Sequence, residues 1–211
     1  MLTTISLVRH GLVENPQRVY YGRLPGFVLA AEGREQAAAA GRYLAGEDVA
    51  IIYHSPMERA AETAAIVGAG LPQPVALVES VLLNEIHSAD DGRTVDEMKD
   101  LDWNFYRAVV PPYEGPANVL ARVISFFDFA RQSHPGQHIV GVSHADPIAF
   151  AVMWSCGLPL SAEERKWLEQ CGIPEGYPAP ASVSTFIFNT ANGDLVGFHY
   201  LCPYTPNPHP H

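Results

Sequence analysis

Cysteine is scarce in this chain, and the three present, Cys156, Cys171 and Cys202, lie far apart with no C-x-x-C pair. That spacing fits neither a disulfide framework nor a tetrahedral thiolate zinc site, so the thiols are read as reduced and structural. Basic charge is also in short supply: 13 Lys and Arg against 23 Asp and Glu leave a net charge of -10. A field of that sign repels nucleic acid and anionic membrane surfaces, and neither is expected as a partner. Long hydrophobic runs are missing: the longest, 148–156, is half of the roughly 18 residues that a membrane span requires. No basic stretch precedes the apolar segment at the amino terminus, so no secretory signal is expected and the expected location is the cytoplasm. The chain has no internal repeat, and its glycines and prolines are dispersed except in 203–211, where alternating prolines predict a flexible tail.

What is present is apolar material, 47% of 211 residues, enough for one sizeable core; a single domain over 1–202 is expected. Short apolar segments at 3–8, 49–53, 74–78 and 139–143 read as strands, and 183–189 with 195–201 as a late pair joined by Asn192-Gly193-Asp194. Helices are expected over 32–45, stopped by Gly46, and over 118–132. Two more are expected to start by cap-then-proline logic, one at Ser55-Pro56-Met57-Glu58 and one at Asp146-Pro147. Strands alternating with helices predict a three-layer α/β/α sandwich on a mixed, largely parallel sheet.

Ligands of such sheets gather at the carboxyl ends of the strands. Three of these ends carry cations or potential cations: Arg9-His10-Gly11, His54-Ser55-Pro56 leading to Arg59, and Ser143-His144. If the three strands are neighbours, Arg9, His10, Arg59 and His144 meet at one edge and repel one another unless an anion sits among them. A phosphate dianion balances two guanidinium forks and an imidazole, and helix amino termini add to the attraction. Neutral His10 is then placed to attack phosphorus, giving a phosphohistidine, while the arginines stabilise the equatorial oxygens and Gly11 leaves room for the phosphate. The departing oxygen needs a proton donor; Glu85, inside an apolar run, is the candidate, ahead of Asp90 and Asp91 in what reads as an exposed turn. These roles predict a bell-shaped pH profile peaking on the acidic side of neutral.

Leu7-Val8-Arg9-His10-Gly11, 32–37, Ser55-Pro56-Met57-Glu58-Arg59-Ala60, Leu83-Asn84-Glu85 and Val142-Ser143-His144 together resemble the ordered motifs of the histidine phosphatase superfamily, the phosphoglycerate-mutase-like group. The resemblance implies His10 as the phosphorylated nucleophile, Arg9, Arg59 and His144 as the phosphate pocket, Glu85 as proton donor, and no metal or other cofactor. It also carries substrate contact over to Asn15 and to Ala145, the latter standing, with Asp146, where members commonly have Gly-Gly or Gly-Asn.

The segment 84–115 holds eight acids against three bases, together with Trp103, Phe105, Tyr106 and Tyr113, and reads as a lid-like insertion. Its charge disfavours highly anionic substrates. The expected activity is hydrolysis of a small phosphomonoester whose leaving group is neutral, cationic or partly aromatic. A phosphomutase is the alternative, weakened because Arg107 stands alone in this segment; a non-catalytic phospholigand-binding protein is the second. A homodimer is compatible with the sequence. His87 with Asp90 and Asp91 is too loosely spaced for a metal site. For Arg18 and Arg23 two readings stay open, substrate contact or a solvated loop, and His54 has no assigned role.

Overall fold

The computed structural model describes residues 1–104, 106, 109–161 and 165–205. In chain order it forms β1 (Leu2–Arg9), α1 (Ala31–Leu44), β2 (Val49–His54), α2 (Glu58–Ala69), β3 (Ala76–Glu79), α3 (Val95–Asp100), α4 (Pro116–Ser133), β4 (His138–Ser143), α5 (Ala145–Ser155), β5 (Val183–Asn189) and β6 (Leu195–Leu201). The six strands make one sheet in the order β3-β2-β4-β1-β5-β6. The first four are parallel, while β5 runs antiparallel to β1 and to β6. The sheet is therefore mixed and largely parallel, with helices on both faces.

Strand periodicity sorts the core. Ile5 and Leu7 of β1 point to the face covered by α4 and α5, where Phe126, Phe127, Phe150 and Phe186 pack. Val8 points to the other face, with Ile52, Val140 and Val142, beneath Ala40, Ala60, Ala64 and Val67 of α1 and α2. Alanine on both helices lets them lie close to the sheet. The carboxyl ends of β2, β4 and β1 are thereby adjacent, with Arg9 opposite Ser143 and His54 opposite Val142.

Several local readings are corrected. Helix α1 ends on Ala45 in right-handed geometry, so Gly46 is not its cap. Helix α2 begins at Glu58 with Met57 as the N-cap residue, not at Pro56; Ser55 Oγ accepts the Met57 N–H at 3.4 Å and is otherwise engaged by His144 and Asn84. Helix α5 is preceded by His144, so Asp146 lies inside its first turn and does not cap it. Within 84–115, where no element is expected from the sequence, α3 forms and is capped at its start by a reciprocal capping box between Thr94 and Glu97. Asp90 is buried against Arg93, not exposed. Of the tail, Tyr204 packs against the core and its hydroxyl donates to the Pro180 carbonyl; 206–211 lie outside the described residues, as do Phe105 and Arg107. No helix among the described residues is long and apolar enough to cross a membrane.

Candidate active site

The four basic residues singled out at the strand ends come together. The His10 and His144 rings have centroids 5.1 Å apart, and Arg59 Nη2 lies 3.1 Å from His144 Nδ1. Arg59 is fully buried, its guanidinium 4.8 Å above the Tyr21 ring and its Nη2 donating to the Gly22 carbonyl at 2.6 Å. Arg9 donates through Nη1 to the Pro178 carbonyl at 2.6 Å and lies 5.4 Å from the Tyr177 ring centroid. Three of their buried donors, Arg9 Nε, Arg59 Nε and Arg59 Nη1, have no hydrogen-bond partner among the described residues. Buried N–H groups of a cation without acceptors are costly, and an oxyanion is the ligand that satisfies them.

Hydrogen bonds fix the state of both histidines. His10 Nδ1 is 2.8 Å from the Gly11 carbonyl, which only accepts, so Nδ1 carries the proton and Nε2 keeps its lone pair. At His144, Nδ1 faces Arg59 Nη2, which only donates, so Nδ1 accepts. Nε2 then donates to Ser55 Oγ at 2.9 Å, and Ser55 passes its own proton to Asn84 Oδ1 at 3.0 Å. Both rings are neutral, and burial pushes both pKa values well below the ordinary 6.5, helped at His10 by Arg59 and Arg9 and at His144 chiefly by Arg59 and His10.

Gly11 is glycine for a different reason from the one the sequence suggested. A Cβ there would sit 2.3 Å from the Gly33 carbonyl oxygen, so the loop after β1 presses on the backbone of α1. The Gly11 N–H is held by Thr63 Oγ1 at 3.1 Å. Asn15 is likewise engaged, bracing both the N–H and the carbonyl of Val19 with its amide. Ala145 opens α5, whose first-turn N–H groups have no intrahelical acceptor. His54 Nδ1 meets the Ser55 carbonyl, and His87 Nδ1 the Pro112 carbonyl.

Glu85 is buried beside this cluster, its Oε2 3.9 Å from His144 Nδ1 and its Oε1 accepting from the Ile86 N–H at 2.9 Å. Burial first, and the charge of Asp146 second, push its pKa up to about 7 against the pull of Arg59. Its carbonyl is gripped by Arg23 Nε at 2.8 Å, and Arg122 Nη2 approaches it at 3.4 Å. Glu114 bridges the two guanidiniums, 2.6 Å from Arg23 and 2.9 Å from Arg122. Arg23 thus joins a structural clamp. Nothing local in the sequence marks Arg122 or Glu114 as members of this clamp, nor Tyr177 as a neighbour of Arg9.

Two cations with buried, unmet donors, a histidine presenting a free ring nitrogen, and a carboxyl poised near neutrality suit phosphoryl transfer to and from an imidazole. The model of the histidine phosphatase superfamily (branch 1) matches residues 5–175. An uncharacterised protein of Mycobacterium tuberculosis, Rv0525, is 32% identical over 192 residues, covering 89% of this chain and 91% of the relative. Phosphoserine phosphatase 1 of Hydrogenobacter thermophilus is 30% identical over 169 residues, 76% of this chain and 79% of that protein. Among solved structures, YhfR of Bacillus stearothermophilus superposes with a TM-score of 0.76 at 25% identity, over 92% of this chain and 94% of that one. Sequence, fold and strand-end chemistry agree, and the chain belongs to the histidine phosphatase superfamily.

Proposed function

We propose that this protein is a phosphomonoesterase acting on small phosphate esters through a phosphohistidine at His10. In the first half-reaction His10 Nε2 bonds to phosphorus as the ester P–O bond breaks, and Glu85 gives its proton to the leaving oxygen. The ring, still protonated on Nδ1, becomes a phosphorylated imidazolium whose N–H stays on the Gly11 carbonyl. In the second, water attacks phosphorus while Glu85 takes back a proton; the N–P bond breaks, and inorganic phosphate and neutral His10 are restored. Arg9, Arg59 and His144 bind the dianion, and the first turn of α5, including Ala145, adds N–H groups to its oxygens.

The observation that carries this reading is the fixed tautomer of His10, with Nδ1 spent on Gly11 and Nε2 free beside three unmet guanidinium donors. On the leaving-group side the surroundings are acidic and phenolic. Glu85 and Asp146 are buried there, and 84–115, read as a lid, has a net charge of -5 from eight acids and three bases. A net negative charge on the leaving group would meet repulsion, which favours leaving groups that are neutral, cationic or partly aromatic and disfavours a phosphomutase working on bisphosphorylated sugars. Phosphoserine, the ester named in one relative, fits, because its serine leaving group is neutral overall. In this reading Asn15 stiffens the loop and does not reach for phosphate.

The test has two readouts. Rapid quenching of wild type with a radiolabelled ester should trap an acid-labile, alkali-stable phosphoenzyme, and His10→Ala should lose both the label and turnover. Turnover surviving in His10→Ala, or a panel in which only highly anionic esters react, would overturn the reading.

A further inference from the structure

This chain places a carboxylate two positions after His144, and the mechanism above makes no use of it. Asp146 is 3% exposed, in the first turn of α5. Its two oxygens accept the phenolic hydroxyls of Tyr106 and Tyr177, each at 2.6 Å. Tyr106 comes from the 84–115 segment and Tyr177 from the segment that holds Arg9, so three separate parts of the chain converge on one carboxylate. Asp146 follows His144 by two residues, and His144 Nδ1 lies 3.9 Å from Oε2 of the other buried acid, Glu85, on which the charge of Asp146 acts.

We propose that Asp146 is a positioning residue of the catalytic site: held by Tyr106 and Tyr177, its charge keeps the proton on Glu85 until the leaving group takes it. The inference rests on the role proposed for Glu85. The physical basis is that two close carboxyls in a low-dielectric site do not both ionise easily, so the one with better donors holds the charge and the other holds the proton. Asp146 has two phenols, whereas Glu85 accepts one backbone N–H. The groups around Glu85 act in both directions. Arg59 on α2 and Arg9 at the end of β1 favour its anion, and Asp146 on α5 opposes them. Neutral His144 stands at 3.9 Å, Arg23 and Arg122 hold its carbonyl, and the half-buried Tyr20 has its pKa raised by desolvation and by the charge of both acids.

The experiment is the kcat/KM pH profile with an alkyl phosphate, whose leaving group requires a proton. Wild type should lose activity above the Glu85 titration near pH 7. Asp146→Asn should move that alkaline limb to lower pH by about one unit, so that activity at pH 8 falls ~10-fold further than at pH 5.5. Tyr177→Phe, which keeps the ring and removes one donor, should move the limb the other way, because the carboxyl pair then holds its shared proton more tightly. Loss of packing alone would lower the whole profile without moving it. If the limb stays in place in Asp146→Asn, or moves to lower pH in Tyr177→Phe, the proposal is wrong; should Asp146→Asn not fold, Tyr177→Phe decides. Glu85→Gln separates this from the reading beneath it: a limb that persists there overturns Glu85 as the donor, whereas a limb absent there and unmoved in Asp146→Asn overturns Asp146 alone.

Discussion

Arg59 shows how much chemistry one side chain can carry when it is buried. Its guanidinium sits over Tyr21, donates to Gly22 and to His144, and keeps Nε and Nη1 unmet. Burial lowers its pKa from the ordinary value, the cost of holding a cation ready for an anion. Lysine would keep the charge but lose the planar fork. Arg59→Lys should therefore weaken phosphate or vanadate inhibition and lower kcat/KM by about 10- to 100-fold, the worth of one or two charge-assisted hydrogen bonds. An inhibition constant within threefold of wild type would show that the fork does not touch the dianion. The sequence exposed Arg9, His10, Arg59 and His144 because each follows a strand in a dense motif. It misled at Ser55 and Asp146, which locally look like helix caps. In the fold both are drawn into tertiary hydrogen bonds, Ser55 between His144 and Asn84, Asp146 between two tyrosines. A cap motif describes what a side chain can do for its own helix, and a buried site competes for the same oxygen.

At the scale of elements, the site exists because β2, β4 and β1 are adjacent and parallel; the alternation of strands and helices implied their parallel sense, whereas their adjacency was only a condition of the sequence reading. The segment 84–115 was less legible. Its acidic composition hid a salt-bridge clamp whose members lie far apart in sequence: Arg23 in the loop after β1, Glu114 at the end of the segment and Arg122 on α4. Burial alone would raise the Glu114 pKa, but the hydrogen bond and charge of Arg122 and the His87 N–H outweigh it and hold the carboxyl below its ordinary value. The capping box Thr94-x-x-Glu97 that starts α3 is local in sequence, yet the acidic composition of the segment did not single it out. The clamp holds the backbone of Glu85, whereas the dianion pocket proposed above draws on β1, α2 and α5. Glu114→Gln should therefore lower kcat for alkyl phosphates by about tenfold or more, as small misplacements of a proton donor do, and leave phosphate inhibition nearly unchanged. Equal losses in both would mean that the clamp supports the whole site and not the donor alone.

For the whole molecule, the same burial that readies the site makes stability depend on pH and on bound anion. His10 and His144 have pKa values well below 6.5, and His138, bonded to Ser6 under the sheet, is lowered by burial as well. In the unfolded chain all three gain protons near 6.5, so the unfolded state binds more protons as pH falls. Their stabilisation is complete above that pH and is lost below it, at most about 1.4 kcal/mol per group per pH unit. Glu85 works in the opposite sense: with its pKa raised from 4.5 to about 7, its contribution is full below 4.5 and fades as pH rises to 7. Three groups oppose one, so the melting temperature should fall between pH 7 and pH 5.5. Phosphate should counter this, because a dianion satisfies Arg9 and Arg59 only in the folded state. At 100 times its Kd it should add about 2.7 kcal/mol, or about 5–10 °C for a chain of this size. Arg59→Lys should lose most of that rise at a phosphate concentration matched to the wild-type Kd, whereas Glu114→Gln should keep it. Calorimetry at pH 7 with and without phosphate decides the matter: an unchanged melting temperature in wild type would mean that the strand-end cations do not form an anion site.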